Sequence, residues 1–314
     1  VFSGVAKSSE ELELAINNEI LSINIESEDE FDRIVAISET LNKNTNCSIR
    51  INPDIPTGSH KYIETGLKTS KFGVDTETLN NISLKAKNKE FIQITGIASH
   101  IGSQISDNSL IMKSLEHLLT AHKSLMNDGH DINFLDVGGG LGITYKEEIP
   151  GDPKSLIAEI CKELESSNLN IILEPGRSIT GAAGVLIAKV EYLKLTDHKN
   201  FAIINAGMND LMRPALYDSW HAVKEIRKSE SDTRLYEIVG PVCESADVLA
   251  KERELNISQG DLIAIMDTGA YGSVMSSNYN SRLIVPEILV DGSSAKLIKK
   301  RQSFEDSITL EKNL

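Results

Sequence analysis

Short apolar runs alternate with amphipathic segments through the first part of the chain. The runs are rich in Ile, Val, Leu and Phe, which favour buried strands, and polar or glycine residues follow almost every run. The segments between them have the periodicity of amphipathic helices, for example at residues 28–41. This alternation predicts a parallel α/β structure. The predicted strands are at residues 1–5, 21–25, 48–52, 91–99, 134–137 and 171–173.

Two architectures contain this alternation, a doubly wound sheet and a (β/α)8 barrel. Candidate functional residues at nearly every strand end favour the barrel, because barrel enzymes draw their catalytic groups from several strand ends on one face. Six strands are two short of a barrel, so we interpret residues 1–181 as an incomplete one. Residues 182–314 are expected to form a mostly β domain. Its predicted elements are strands at 184–195, 201–205, 236–239, 261–266 and 284–290, a helical piece at 215–228 and a frayed helix from Ser303.

Charge and composition narrow the possible partners. The 314 residues include 46 Asp and Glu against 32 Lys and Arg, which gives a net charge of −14. Such a chain is not expected to bind nucleic acid or anionic membranes. The three cysteines are too scattered for a disulfide framework or a zinc site. No apolar run is long enough to cross a bilayer and no signal peptide opens the sequence, so a cytoplasmic location is expected.

The last predicted strand of the barrel region runs directly into Glu174, Pro175, Gly176 and Arg177. This arrangement presents a carboxylate beside a turn that is suited to binding an anion. A ligand with a basic ring nitrogen at one end and a phosphate at the other would match it, and pyridoxal phosphate is such a ligand. The alternative is a strand end with a structural salt bridge between Glu174 and Arg177.

Two other strand ends strengthen the case for a phosphate site. Gly138, Gly139 and Gly140 follow a strand, and glycines allow backbone N–H groups to approach a phosphate closely. The sequence H-I-G-S-Q follows another strand, so His100 is placed to stack on a flat cofactor while Ser103 donates a hydrogen bond to its phosphate. Each motif alone also has a structural explanation, as a tight turn or as a hydrogen-bonded histidine.

The β domain has its own candidates. Cys243 follows a Gly-Pro turn and precedes Glu244, where a partly exposed thiol could donate a proton. Arg213 and Tyr217 lie four residues apart and would share a helix face able to bind a carboxylate. The commoner alternatives are a buried core cysteine and a helix start with an exposed base.

Taken together and in order, these motifs resemble the diaminopimelate decarboxylase family of alanine-racemase-like, pyridoxal phosphate-dependent enzymes. The resemblance covers nearly the whole chain. It rests on G-S-H-K-Y-I-E-T-G-L-K-T-S-K-F-G, H-I-G-S-Q, G-G-G-L-G-I, E-P-G-R-S-I, N-D-L-M-R-P-A-L-Y, G-P-V-C-E-S, G-A-Y-G and M-S-S-N-Y-N-S-R. It implies decarboxylation of meso-2,6-diaminopimelate to L-lysine and CO2 by a homodimer, with each site completed by the partner's β domain.

The resemblance also implies a role for each motif residue. Glu174 would meet the pyridine nitrogen, His100 would stack on the ring, and Cys243 of the partner would donate a proton. The residues implied to surround the cofactor are His100, Ser103, Gly138, Gly139, Gly140, Glu174, Pro175, Gly176, Arg177 and Tyr271. The residues implied to bind substrate are Arg177, Arg213, Tyr217, Glu244 and Tyr271.

In this family the Schiff-base lysine lies on a barrel strand upstream of Val1. Lys7, Lys68 and Lys71 are expected to be solvated, so the chain is interpreted as an N-terminally truncated piece that is inactive in isolation. Two other functions stay open. One is a related decarboxylase acting on ornithine, arginine or carboxynorspermidine, and the other is a non-catalytic relative that binds the cofactor or a partner protein.

Overall fold

The computed structural model describes residues 1–58, 60, 63–227 and 232–312. The chain divides into two compact units, one of residues 1–143 and 149–178 and the other of residues 144–148 and 179–314. The domain boundary expected after residue 181 stays a prediction. Within these described ranges, no helix combines the length and the apolar character that a bilayer span requires.

The first unit contains a five-stranded parallel sheet whose strands follow one another in chain order. Helices connect successive strands, as the alternating sequence pattern predicts. The elements are α1 Ser9–Asn17, β1 Ile23–Ile25, α2 Glu28–Leu41, β2 Thr45–Arg50, α3 Thr76–Ala86, β3 Ile92–Ala98, α4 Asn108–Asn127, β4 Phe134–Gly139, α5 Pro153–Glu163 and β5 Asn170–Glu174. A short helix, α6 Arg177–Thr180, follows β5.

Local sequence explains where these helices begin. Ser8 and Glu11 form a reciprocal capping box at α1, and Asp152 accepts the first N–H groups of α5 ahead of a proline. The buried sides of the helices pack with the strands in one continuous apolar core, which includes Phe31 and Ile97. Because the strands are parallel, their carboxyl ends all lie at one edge of the sheet.

The predicted first strand is the exception in this unit. Five of the six predicted strands are present, whereas residues 1–5 contribute only one parallel bridge, between Phe2 and Ile23. Gly4 has a φ of 127° and begins a turn, so the chain leaves the sheet direction after two residues. Ser59, Lys61 and Tyr62, which belong to the G-S-H-K-Y motif, lie outside the described residues.

The second unit is built on a six-stranded sheet in the order β10-β9-β7-β6-β11-β8, followed by a separate hairpin. Its pairs are antiparallel except for β7 with β9. A second apolar core packs against this sheet. The elements are β6 Leu186–Lys194, β7 Asn200–Ile204, α7 Arg213–Tyr217, β8 Val223–Glu225, β9 Arg234–Val239, β10 Val248–Leu255, β11 Leu262–Ile265, β12 Glu287–Asp291, β13 Ser294–Lys299 and α8 Phe304–Ser307.

The α/β class with a mostly β C-terminal region is confirmed, but the helix predicted at 215–228 is wrong beyond Tyr217. Asp218 takes a left-handed conformation with a φ of 49°, and its N–H bonds the carbonyl of Arg213, which ends α7. Residues 223–225 then form β8, where Val223 is buried beside β11. Lys228 lies outside the described residues. Strands β10 and β13 were not predicted, because four of the eight residues of β10 are charged and two lysines interrupt the six residues of β13.

Candidate active site

A cavity of about 70 Å³ lies at the carboxyl-terminal edge of the parallel sheet in the first unit. Every strand of the sheet sends residues to this edge, so the cavity has polar walls on several sides. It is lined by Ser3, Asn24, Arg50, Ala98, Ser99, His100, Asp136 and Glu174. Two residues predicted from sequence, His100 and Glu174, are therefore brought together here.

Glu174 is the last residue of β5 and lies beside the buried Asp136 of β4. Partial burial raises the pKa of Glu174 to about 7, and the negative charge of Asp136 adds to the shift. Burial also raises the pKa of Asp136. Oδ1 of Asp136 accepts the N–H of Gly138 at 3.0 Å, whereas Oδ2 has no hydrogen-bond partner among the residues that the structure describes. The cavity thus holds two carboxyl groups that a nearby cation would stabilise in their ionised forms.

His100 is neutral in this site. Its Nδ1 accepts the backbone N–H of Gly139 at 3.1 Å, so the ring proton is on Nε2. Burial, followed by the charge of Arg50, lowers the pKa of His100 to about 4. Nδ1 lies 3.8 Å from the Glu174 carboxylate, but a neutral imidazole forms no ion pair at that distance. The uncharged ring remains available to stack on a planar group.

Arg50, at the end of β2, was not predicted from the sequence. Its guanidinium forms a buried 2.6 Å salt bridge with Glu26 and lies 4.9 Å from the centre of the Phe72 ring. The positive charge lowers the pKa of both His100 and Glu174. The only sequence signal was a basic residue at the end of an apolar strand, followed by I-N-P. Arg50 thus places a positive charge beside both carboxyl groups, which opposes part of the rise in their pKa values.

Two residues predicted to bind the phosphate, Ser103 and Arg177, contact each other. Arg177, which is buried, donates from Nε at 3.2 Å and from Nη2 at 3.1 Å to the Ser103 hydroxyl. The alternative interpretation, a salt bridge between Arg177 and Glu174, is not among the ion pairs of the described residues. Arg177 instead holds the serine hydroxyl at the start of α6, where a phosphate oxygen would find a cation and a hydroxyl together.

The glycines of β4 are required by close packing. A Cβ at Gly139 would overlap the carbonyl oxygen of Glu174, and a Cβ at Gly140, whose φ is 99°, would overlap that of Gly102. No other residue therefore permits β4 and its following turn to approach β5 and the H-I-G-S-Q turn so closely. These observations fit pyridoxal phosphate: an acid for the ring nitrogen, a neutral imidazole for the ring face, and glycines with Ser103 and Arg177 for the phosphate.

Lys7 corrects one expectation from the sequence. It was expected to be solvated, but only 4% of its surface is exposed. Its ammonium donates to the carbonyls of Gly4 and Asn24 at 2.6 and 2.7 Å and pairs with Glu30 at 2.8 Å. Lys68, by contrast, is exposed as expected. Lys7 is a structural lysine that ties the start of the chain to β1 and α2.

The second unit contains the other predicted residues. Arg213 and Tyr217 begin and end α7, and Arg213 is buried. Cys243 and Glu244 are exposed in the connection between β9 and β10, and the Tyr279 hydroxyl donates to Glu244. Tyr271, with 42% of its surface exposed, follows β11. Their predicted roles in binding and catalysis stay predictions.

The raised pKa of Glu174 predicts a pH-dependent stability of the cofactor-free protein. An unfolded glutamate ionises near its ordinary value of 4.5, whereas the folded group keeps its proton until about pH 7. Its stabilising contribution is thus fully present below 4.5 and is lost as the pH rises through 7. We expect Glu174→Gln to gain about 1–2 kcal/mol in free energy of unfolding over wild type between pH 5 and 8, after allowance for solvent screening.

Urea denaturation of both proteins at the two pH values measures this gain. The wild-type comparison cancels the opposite effect of His100, whose depressed pKa costs stability as the pH falls. Glu159→Gln, an exposed position on α5, is the charge-matched control and should show no gain. A stability difference that does not change with pH would contradict a Glu174 that keeps its proton to about pH 7 in the folded protein.

Comparisons with known proteins show which family this chain is similar to. The family described as the pyridoxal-binding domain of pyridoxal-dependent decarboxylases matches residues 1–181. The diaminopimelate decarboxylase of Haemophilus influenzae is 43% identical over 316 residues, covering 100% of this chain and 76% of the relative. That of Vibrio cholerae is 42% identical and covers 99% of this chain and 75% of the relative.

A solved structure gives the same result in three dimensions. Diaminopimelate decarboxylase from Helicobacter pylori, complexed with L-lysine, has a TM-score of 0.94 and 42% sequence identity, over 99% of this chain and 78% of that one. The fold, the chemistry of the strand ends and the similarity along the whole sequence lead to one conclusion. The chain belongs to the diaminopimelate decarboxylase family of pyridoxal-dependent decarboxylases.

Proposed function

We propose that this chain is a carboxy-lyase that converts meso-2,6-diaminopimelate to L-lysine and CO2 with pyridoxal phosphate as cofactor. The observation that carries the reaction class is Glu174, a partly exposed carboxyl with a raised pKa at the cavity. The substrate is inferred from relatives above 40% identity that bear this activity in their names. The thiols of the described cysteines are free, which supports our proposal of a reducing, cytoplasmic location.

In the first unit, the proposed roles concern the cofactor. Bound pyridoxal phosphate supplies an electron sink for the electron pair left when CO2 departs. Glu174 ionises beside the ring nitrogen and holds a proton there, since an adjacent cation lowers the pKa of a carboxyl group. His100 lies against the ring as a neutral imidazole. Phosphate binding is assigned to Ser103, Gly138, Gly139, Gly140, Pro175, Gly176 and Arg177.

In the second unit, the proposed roles concern the substrate and its protonation. Arg213 and Tyr217 bind the distal carboxylate, together with Arg177, and Tyr271 borders cofactor and substrate. Glu244 binds the distal amino group, and Cys243 donates a proton to the carbon that has lost CO2. Both are exposed, as residues that complete the site of a partner subunit would be in one isolated subunit. We therefore propose a homodimer with shared sites.

Product analysis tests the substrate assignment. The holoenzyme is supplied in turn with meso-diaminopimelate, L-ornithine, L-arginine and carboxynorspermidine, and CO2 release and the amine product are measured. We expect kcat/KM for meso-diaminopimelate to exceed the others by about 10³-fold or more, because a site built around a carboxylate leaves Arg213 unmatched with monocarboxylic amino acids. Equal rates with ornithine would transfer the assignment to a related decarboxylase. Cofactor binding without CO2 release from any substrate would indicate the non-catalytic alternative.

A further inference from the structure

Two buried aromatic side chains that the proposed function does not use hold Arg213 in place within the second unit. Nη1 of Arg213 lies 2.8 Å from Nε2 of His221, which has no exposed surface. The guanidinium carbon lies 4.5 Å from the centre of the Tyr145 ring, which is also buried. Tyr145 and His221 contact each other edge to face, at 5.3 Å and 77°. Arg213 is thus held at one edge and over one face.

The protonation state of His221 follows from its two hydrogen bonds. An arginine guanidinium only donates and does not lose its proton in proteins, so Nε2 of His221 is the acceptor. Nδ1 lies 2.8 Å from the carbonyl oxygen of Met266, which only accepts, so Nδ1 carries the proton. His221 is therefore neutral with a single allowed tautomer, and the ring orientation is fixed from both sides.

Neighbouring groups also hold the backbone of His221 in place. Arg253 donates from Nη2 at 2.8 Å and from Nε at 3.2 Å to the His221 carbonyl, and it stacks on Trp220 at 4.4 Å. The backbone N–H of Met266 donates to the carbonyl of Ala222 at 2.8 Å, which holds the residue that follows His221. These contacts fix the segment that presents the His221 ring to the Arg213 guanidinium.

We infer that His221 and Tyr145 are positioning residues that set the plane of the Arg213 guanidinium for a carboxylate. A planar guanidinium group binds a carboxylate through two parallel hydrogen bonds, and this geometry is favoured when the plane of the guanidinium is fixed. The inference deepens the proposed function and rests on its assignment of Arg213 to the distal carboxylate. In that reaction the anchored carboxylate is the one that the product L-lysine retains.

The test compares two ligands of the holoenzyme, L-lysine and cadaverine. Cadaverine has both amines of lysine but no carboxylate, so the ratio of their dissociation constants reports the carboxylate contact alone. His221→Asn keeps a donor near Nδ1 for Met266 but removes the acceptor for Arg213, whereas His221→Gln places an amide oxygen near Nε2. We expect His221→Asn to weaken L-lysine binding about 10-fold and cadaverine binding less than about 2-fold, and His221→Gln to preserve most of the preference.

Calorimetric or spectroscopic titration measures these constants, and circular dichroism confirms that each variant is folded. Tyr145→Leu is the second variant, with an expected loss of about 3-fold in the preference for L-lysine. His198→Asn, at an exposed histidine of the same unit, is the matched control. In steady state, His221→Asn should raise KM for diaminopimelate with little change in kcat.

Four results would separate the possible failures. Equal weakening of both ligands by His221→Asn, or equal effects of the Asn and Gln variants, would overturn the positioning role. Another outcome is that Arg213→Gln abolishes the preference for L-lysine over cadaverine while His221→Asn and Tyr145→Leu retain it. In that case the assignment of Arg213 to the carboxylate stands, and the positioning role of His221 and Tyr145 fails. If wild type itself binds cadaverine as tightly as L-lysine, the assignment of Arg213 to the carboxylate is wrong, and the inference falls with it.

Discussion

Replacing Glu174 by Gln is expected to reduce kcat of the holoenzyme about 10²-fold or more, with a smaller effect on KM. The substitution keeps the shape of the side chain but removes its charge. An amide cannot stabilise a proton on the ring nitrogen, so the electrons released with CO2 meet a poorer sink. The effect should be large because the Glu174 carboxyl is partly withdrawn from water at the cavity, where charge interactions are stronger than in bulk water.

Steady-state kinetics with saturating cofactor measure this loss, and Glu174→Asp distinguishes charge from length. Aspartate keeps the charge and should recover part of the lost rate. Glu159→Gln removes an exposed carboxylate from α5 and should leave kcat unchanged. A Glu174→Gln enzyme that retains wild-type turnover and binds the cofactor normally would remove Glu174 from the mechanism.

The candidate site residues that could be predicted from the sequence are those that stand out from the local pattern of apolar and polar positions. Glycines at the end of β4, and the acid, proline, glycine and base at the end of β5, interrupt apolar runs and so mark strand ends. The carboxyl ends of the parallel strands then bring Glu174 and His100 to one cavity. Asp136 gave no such signal, because a single acid inside F-L-D-V-G looks like part of a strand. Its importance comes from the neighbouring strand, which places Glu174 beside it. Contacts between strands are tertiary information that periodicity does not contain.

Lys7 and His221 show the same limit for single residues. Lys7 precedes a helix start, a context that is usually solvated, yet two carbonyl oxygens and Glu30 satisfy its charge in the interior. The role of His221 could not be predicted from the sequence, because its hydrogen-bond partners, Arg213 and Met266, are 8 and 45 residues away along the chain. Hydrogen-bond partners at such separations are found only once the fold is known.

The second large effect is expected when two inactive variants are combined. Cys243 is proposed to act in the site of the partner subunit, whereas Glu174 acts in the site of its own subunit. Glu174→Gln and Cys243→Ala homodimers should therefore each be nearly inactive. A dimer with one subunit of each kind contains one site with both substitutions and one site with neither, because Glu174 of one subunit meets Cys243 of the other.

Mixing equal amounts of the two variants under conditions that allow subunit exchange should restore activity. Random exchange makes half of the dimers mixed, and each has one intact site, so we expect about a quarter of wild-type activity. The control mixes Glu174→Gln with Cys161→Ala, which changes an exposed cysteine on α5. It measures the activity obtained after exchange when the second variant keeps an intact Cys243.

Native mass spectrometry, with a mass tag on one of the two variants, confirms that exchange has occurred between dimers. If Cys243 served its own subunit, every mixed dimer would contain one site without Glu174 and one without Cys243, and mixing would restore nothing. Restored activity requires that the thiol cross the subunit interface, since no other arrangement produces an intact site from these two chains. Complete exchange without recovery would therefore reject the shared site while leaving the role of Glu174 intact.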